Sequence, residues 1–219
     1  MQGGLLQKPS QFTNGIINTG GIMHRITVVE NFISPEDAKT LIDEQLNPSE
    51  VNEYPKYYSK RFGGTSLPYN KIVQDIMIKY GHKANQMHKE LNGFKNDIYV
   101  FKAFGSHWAT GTKGDLHIDA QGPEPWIEFS TIMYLNHESE YDGGKIYFPN
   151  QEFEYQPKQY SAVFFPGAGT EYIHGITTVT RGDRYTGLYM HTSLPAHADP
   201  EFHPGFNKWR AKDYPLVKL

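Results

Sequence analysis

The spacing of apolar and polar residues changes character near residue 97. Before that point apolar side chains recur with helical period. Ala38, Leu41, Ile42 and Leu46 mark one face, and Ile72, Val73, Ile76, Tyr80, Ala84, Met87 and Leu91 mark another. The pattern predicts two helices, one starting at Ser34-Pro35-Glu36-Asp37 and one over about 70–91. Serine can cap the first free amides, proline suits the first helical position, and Asp37 can reach back in a capping box. Asn92-Gly93 supplies a stop for the second helix, since glycine accepts the left-handed conformation that ends helices. A strand over 24–32 precedes the first helix.

Beyond residue 97 apolar runs are short and separated by turn residues. Candidate strands cover 98–104, 115–120, 127–135, 145–148, 161–165, 173–179 and 184–191. Strands at this density predict a sandwich or barrel. The 15 tyrosines and 13 phenylalanines, with frequent glycine and proline, agree with a mainly β chain flanked by helices. The expected organisation is a tail over 1–22 and one domain over 23–219. Within it, helical support covers about 34–92, a β core about 97–192, and an irregular wrap 193–219.

Composition narrows the function classes. The formal net charge is −3 with no long run of one sign, which gives no electrostatic reason for nucleic-acid or membrane-surface binding. There is no cysteine, so disulfides and thiolate chemistry are excluded. The first residues lack the apolar centre of a signal peptide, and no apolar run approaches the roughly 18 residues of a membrane span. A soluble, cytoplasmic protein is expected.

The chemistry centres on His117-Ile118-Asp119. Side chains alternate along a strand, so His117 and Asp119 are expected on one face. His174, on a later candidate strand, can supply a third ligand. Two histidines and one carboxylate on one side of a metal leave other positions open, the arrangement of non-haem iron(II) oxygenases. HxD alone is common in a chain with ten histidines, and His174 alone reads as an ordinary polar residue. Arg184 changes that balance. It follows a turn at Arg181-Gly182-Asp183, and a hairpin there would return it to the same cavity, deeper than the metal. A guanidinium at that place can bind a carboxylate through two hydrogen bonds.

The segments LHID, EFSTIMYLN, GGKIYF, SAVFFPGAG and HGITTVTRGDRY, in that order, resemble the core of the prolyl 4-hydroxylase-like iron(II)- and 2-oxoglutarate-dependent oxygenases. The stretch ITVVENFISPEDAKTLIDEQL resembles the unit that precedes that core. The resemblance implies a double-stranded β-helix, the jelly-roll fold shared with cupins. It implies that His117, Asp119 and His174 hold iron(II) and that Arg184 binds the far carboxylate of 2-oxoglutarate. Tyr134 matches a tyrosine that bonds the same carboxylate in some relatives; a core aromatic is the other reading. Many relatives carry a tyrosine near the metal where this chain has His107 and Trp108. Dioxygen would be consumed, succinate and carbon dioxide released, and L-ascorbate would keep the iron reduced.

The implied substrate is a prolyl residue of a peptide or protein. Another amino acid or a small molecule is the alternative. A nucleobase is disfavoured, because the second arginine motif of nucleobase demethylases is absent. The loop over 54–70 reads either as an ordinary surface loop or as a wall for an extended peptide, and the loop over 120–127 could cover the substrate entrance. From a different class, a cupin-like metal-binding protein without oxygen chemistry shares the barrel but leaves Arg184 without a purpose.

Overall fold

The computed structural model describes residues 26–49, 67–68 and 70–202. The tail at 1–22, most of the 54–70 loop and the wrap beyond Phe202 lie outside the described residues. In chain order the elements are β1 (Thr27–Val29), α1 (Pro35–Leu46), α2 (Lys71–Asn92), β2 (Tyr99–Trp108) and β3 (Gly114–His117). Next come β4 (Phe129–Tyr134), β5 (Tyr141–Gly143), β6 (Ile146–Phe148) and β7 (Phe153–Tyr155). The last are β8 (Ala162–Pro166), β9 (His174–Ile176), β10 (Val179–Gly182) and β11 (Arg184–Thr192).

Both helices form where their signals lie. Ser34 Oγ accepts from the Asp37 amide at 3.2 Å, and Asn70 caps α2 by accepting from Val73 N at 3.0 Å. Gly93 ends α2 with φ 64°. The capping box does not close as expected. Ser34 N donates to the Tyr80 hydroxyl at 2.9 Å, while the Asp37 carboxylate accepts from Tyr80 and Lys79, each at 2.7 Å. Asp37 thus ties α1 to α2 instead of to its own first turn. Ile72 and Leu46, placed on the apolar faces by spacing, are exposed. In the first turn of α2 Gln74 is buried beside Val73 and donates to Glu201 at 3.1 Å.

The strands build a five-stranded sheet in the order β1-β8-β4-β11-β2, a four-stranded sheet β3-β9-β6-β7, and a ribbon β10-β5. Every pairing is antiparallel. This is the two-sheet jelly roll that the β-rich pattern and the family resemblance imply. One face of the large sheet packs on the helices, where Leu41, Val73, Met77 and Tyr80 meet Met133, Phe164 and Tyr189. The other face closes on the small sheet, with Ile132, Tyr134 and Phe165 against Ile146, Phe148 and Ile176. Central strand β4 is buried at all six positions, as a strand covered on both faces must be.

Three details depart from the sequence pattern. The run 115–120 stops as a strand at His117, so Asp119 lies in the bend that follows. The run 173–179 divides into β9 and the start of β10. Thr177 N donates to Lys145 O and Val179 N to Thr112 O, both at 2.9 Å, as the chain leaves the small sheet for the ribbon. There is also no hairpin at Gly182. β10 pairs with β5, whereas β11 runs between β4 and β2 in the large sheet. Gly182 makes the crossing possible with φ 72°, and a Cβ there would lie 2.0 Å from Glu140 O.

On the helix side of the large sheet His88, Thr131 and His191 form a chain of polar groups sealed from water. His88 Nε2 lies 2.8 Å from Thr131 Oγ1, which lies 3.0 Å from His191 Nε2. His191 Nδ1 is 2.8 Å from Asn85 Oδ1. Burial pushes His191 down to about 3, and burial together with the neighbouring His191 holds His88 well below the ordinary histidine range.

Candidate active site

His117, Asp119 and His174 come together between the sheets. Their ligand atoms all lie within 4.8 Å of one another. His117 and His174 are register partners on adjacent strands β3 and β9, with ring centres 4.4 Å apart. Asp119 Oδ1 is 3.4 Å from His117 Nε2 and 3.9 Å from His174 Nε2. His174 and Asp119 are buried and His117 half-buried, so the trio is reached from the His117 side.

Hydrogen bonds aim each of the three. His117 Nδ1 sits 2.8 Å from Asp115 O, and His174 Nδ1 sits 3.1 Å from Tyr172 O. A carbonyl only accepts, so both Nδ1 atoms carry the proton and both Nε2 lone pairs face Asp119. This is the backbone support that fixes the tautomer of metal-binding histidines. Asp119 lies past the end of β3, so strand alternation does not orient it. Ser130 does, donating its hydroxyl to Oδ2 and leaving Oδ1 toward the imidazoles. Burial by itself would raise the Asp119 carboxyl. The neighbouring His117 and His174 and the Ser130 hydroxyl outweigh burial and hold it below the usual carboxylate range. Burial holds His174 below the ordinary histidine range, in the neutral form that a metal ligand needs. Phe148 and Phe165, at 5.3 and 4.8 Å, flank the His174 ring.

Arg184 lies at the start of β11, 1% exposed. Its Nε and Nη1 have no hydrogen-bond partner. The guanidinium lies 5.2 Å from the Trp108 ring and 5.0 Å from the Tyr134 ring. The Tyr134 hydroxyl is also buried without a hydrogen-bond partner. The Arg184 charge beside it favours the ionised form. Burial pushes Tyr134 well above the ordinary tyrosine range despite that charge, so it remains a neutral donor. A buried cation and a buried hydroxyl, both unsatisfied and side by side, form a receptor for an anion. Gly144 makes room, because a Cβ there would lie 2.8 Å from Arg184 Cδ, and its φ is 63°.

All five residues singled out by sequence therefore line the space between the sheets. Trp108 packs on Arg184, and His107 turns to the other face, stacked on Tyr185 at 4.6 Å and 2.7 Å from Asp183. Sequence reasoning missed Ser130 and Gly144. A serine at an inward position of a fully buried strand is the trace Ser130 leaves. The glycine pair at 143–144 was part of the matched text without a role.

Solved structures of similar fold share this architecture. A viral collagen prolyl hydroxylase of Paramecium bursaria Chlorella virus-1, in a 2-oxoglutarate complex, superposes with TM-score 0.58 at 16% identity. The match covers 78% of this chain and 96% of that one. An oxidoreductase of the 2-oxoglutarate-Fe(II) oxygenase family from Burkholderia pseudomallei gives 0.59 at 15% identity, over 77% and 84%. A Pseudomonas putida prolyl-4-hydroxylase gives 0.55 at 14% identity, over 77% and 85%. In sequence, prolyl 3-hydroxylase 1 of rat and of human each match with 38% identity over 77 residues. That stretch is 33% of this chain and spans 10% of the length of those relatives. No family model matches the chain. The fold is the double-stranded β-helix of the iron(II)- and 2-oxoglutarate-dependent oxygenases, and prolyl hydroxylases are among the proteins that share it.

Proposed function

We propose that this protein is an iron(II)- and 2-oxoglutarate-dependent dioxygenase that hydroxylates a prolyl residue of a peptide or protein. The observation that carries the reading is Arg184, a sealed guanidinium whose Nε and Nη1 are unpaired beside the unpaired Tyr134 hydroxyl. A buried charge without a partner is costly, so this pair belongs to a site completed by an anion. A cupin-like metal protein without a carboxylate cosubstrate offers no such anion. His117 Nε2, His174 Nε2 and Asp119 Oδ1 would hold the metal, whose donor set of two imidazoles and one carboxylate suits non-haem iron(II).

With iron, 2-oxoglutarate and dioxygen bound, the group supplies oxidation of a C–H bond to C–OH while 2-oxoglutarate becomes succinate and carbon dioxide. This chain supplies orientation. Arg184 and Tyr134 grip the far carboxylate, and Gly144 leaves space for the arginine stem. Ser130 keeps one Asp119 oxygen turned to the metal. The aromatic walls Phe148, Phe165 and Trp108 keep water out.

Proline as the target is supported by the local match to prolyl 3-hydroxylase 1 and by the two prolyl hydroxylases that share the fold. The experiment is turnover of 2-oxoglutarate to succinate with iron(II) and ascorbate, with proline-containing peptides read for one added oxygen by mass spectrometry. Arg184→Ala is expected to raise the 2-oxoglutarate requirement at least about tenfold, because it removes a charge-assisted contact, while metal content is kept. No succinate with any peptide, and no effect of 2-oxoglutarate on the metal site, would sink the oxygenase reading.

A further inference from the structure

The inward face of the large sheet has a closed half and an open half. In the closed half Arg184, Trp108, Tyr134 and Ile132 are buried. Register places Leu188 opposite Phe104 and Met190 opposite Lys102, further along the same face. These four are all half-buried, whereas Ala103 and Tyr189 between them, facing the helices, are buried. The strands are therefore well packed here and only their inward face is open. The opening adjoins the histidine-aspartate trio, since Met190 pairs with Ser130, the residue that holds Asp119.

A bulge builds one wall. Met190 pairs with Lys102 and His191 with Val100, so Phe101 is an extra residue in β2. Its ring meets Trp126 edge-on at 5.7 Å, and Trp126 stacks on His197 at 4.0 Å. Trp126 lies on the loop that follows Asp119. The same loop carries Glu124, 3.3 Å from Lys102 Nζ.

We infer that this open half is the peptide slot, and that Lys102 selects a substrate with an acidic side chain beside the target proline. The inference rests on the oxygenase reading above. Phe104, Leu188 and Met190 give a floor with no hydrogen-bonding side chain, suited to a pyrrolidine ring. Lys102 is the one cation among the four open positions. Its partner Glu124 is held at 3.3 Å with 40% and 29% of the two side chains exposed. Such a water-facing pair exchanges readily, so a substrate carboxylate can replace Glu124 on the same ammonium.

The test uses the full chain loaded with nickel(II) and 2-oxoglutarate, so that peptides bind without turnover. Labelled proline peptides carrying Asp, Asn or Lys on either side of the proline are compared by fluorescence anisotropy. The Asp peptide is expected to bind about tenfold tighter than its Asn counterpart on one side of the proline. Lys102→Glu should reverse the order in favour of the Lys peptide, and Lys102→Arg should preserve it. Because the readout is a ratio between peptides on one preparation, partial misfolding does not imitate it. An Asp-to-Lys preference unchanged in Lys102→Glu overturns the role of Lys102 and leaves the oxygenase reading standing. A wild-type protein that makes no succinate from 2-oxoglutarate takes both readings down.

Discussion

Two pairs of histidines flank the large sheet, one on strands of the small sheet facing it and one under the helices, with ring centres almost equally close. His117 and His174 are 4.4 Å apart on the inward side, and His88 and His191 are 4.6 Å apart under the helices. What separates them is where the nitrogens go. The inward pair gives each Nδ1 to a backbone carbonyl and keeps both Nε2 atoms for a shared point beside Asp119. The outer pair spends its Nε2 atoms on one hydroxyl, Thr131, and the Nδ1 of His191 on Asn85. Thr131 has a single proton, so it donates to one ring and accepts from the other. A carboxylate with two imidazole nitrogens turned toward it makes a ligand set; a threonine between two rings makes a structural clasp.

Removing one histidine from each pair gives the widest separation. His174→Ala is expected to abolish turnover, by about a thousandfold or more, with thermal stability of the metal-free protein little changed. His88→Ala should do the reverse, lowering stability by about 3 kcal/mol in urea titration through the cavity and the stranded Thr131 hydroxyl. Comparable loss of metal from both variants would erase the distinction.

Acid probes the same contrast. Both outer histidines titrate lower in the folded state than the ordinary value of 6.5, His191 at about 3. A histidine held neutral by folding contributes stability that is complete above about 6.5 and lost as pH falls from there toward the folded value. Unfolding free energy of the metal-free protein is expected to drop by about 2–3 kcal/mol between pH 7.5 and 5.5, counting both rings. In His88→Gln a clear part of that slope should disappear. An equal slope in the variant would assign it to other groups.

The smallest effect concerns the hydroxyl that aims the carboxylate. Ser130→Ala is expected to weaken metal affinity about tenfold, and Ser130→Thr to recover part of it, as supporting contacts around metal ligands usually do. Calorimetric titration of the metal, with no turnover involved, reads this directly. Unchanged affinity would mean that Asp119 is oriented by the bend after β3 alone.

The sequence carried the inward pair well and the outer pair not at all, for physical reasons. His117 and Asp119 are close along the chain, and Arg184 follows His174 at a short interval, so a local pattern holds the chemistry. His88 and His191 come from a helix and the last strand, and nothing local links them. The helices were legible through their caps and period, although the side-chain partner of Asp37 was Tyr80, 43 residues away. The route of the chain after His174 was not legible. The turn at Arg181-Gly182-Asp183 has the look of a hairpin, and nothing local marks that Arg184 belongs to another sheet. The bulge at Phe101 left no sign either, because an extra residue in a strand changes pairing without changing composition.

Strand β4 places Ser130 under the metal ligand and Thr131, its neighbour, between the outer histidines. Consecutive residues of one central strand thus touch both clusters. A metal held by Asp119 adds its binding free energy to the native state alone, so its occupancy raises the free energy of opening the whole domain. If that metal is iron, scarcity of iron would let a larger fraction of molecules visit open forms that proteases cut. The number of surviving molecules would then follow the iron supply, with the fold itself as the gauge.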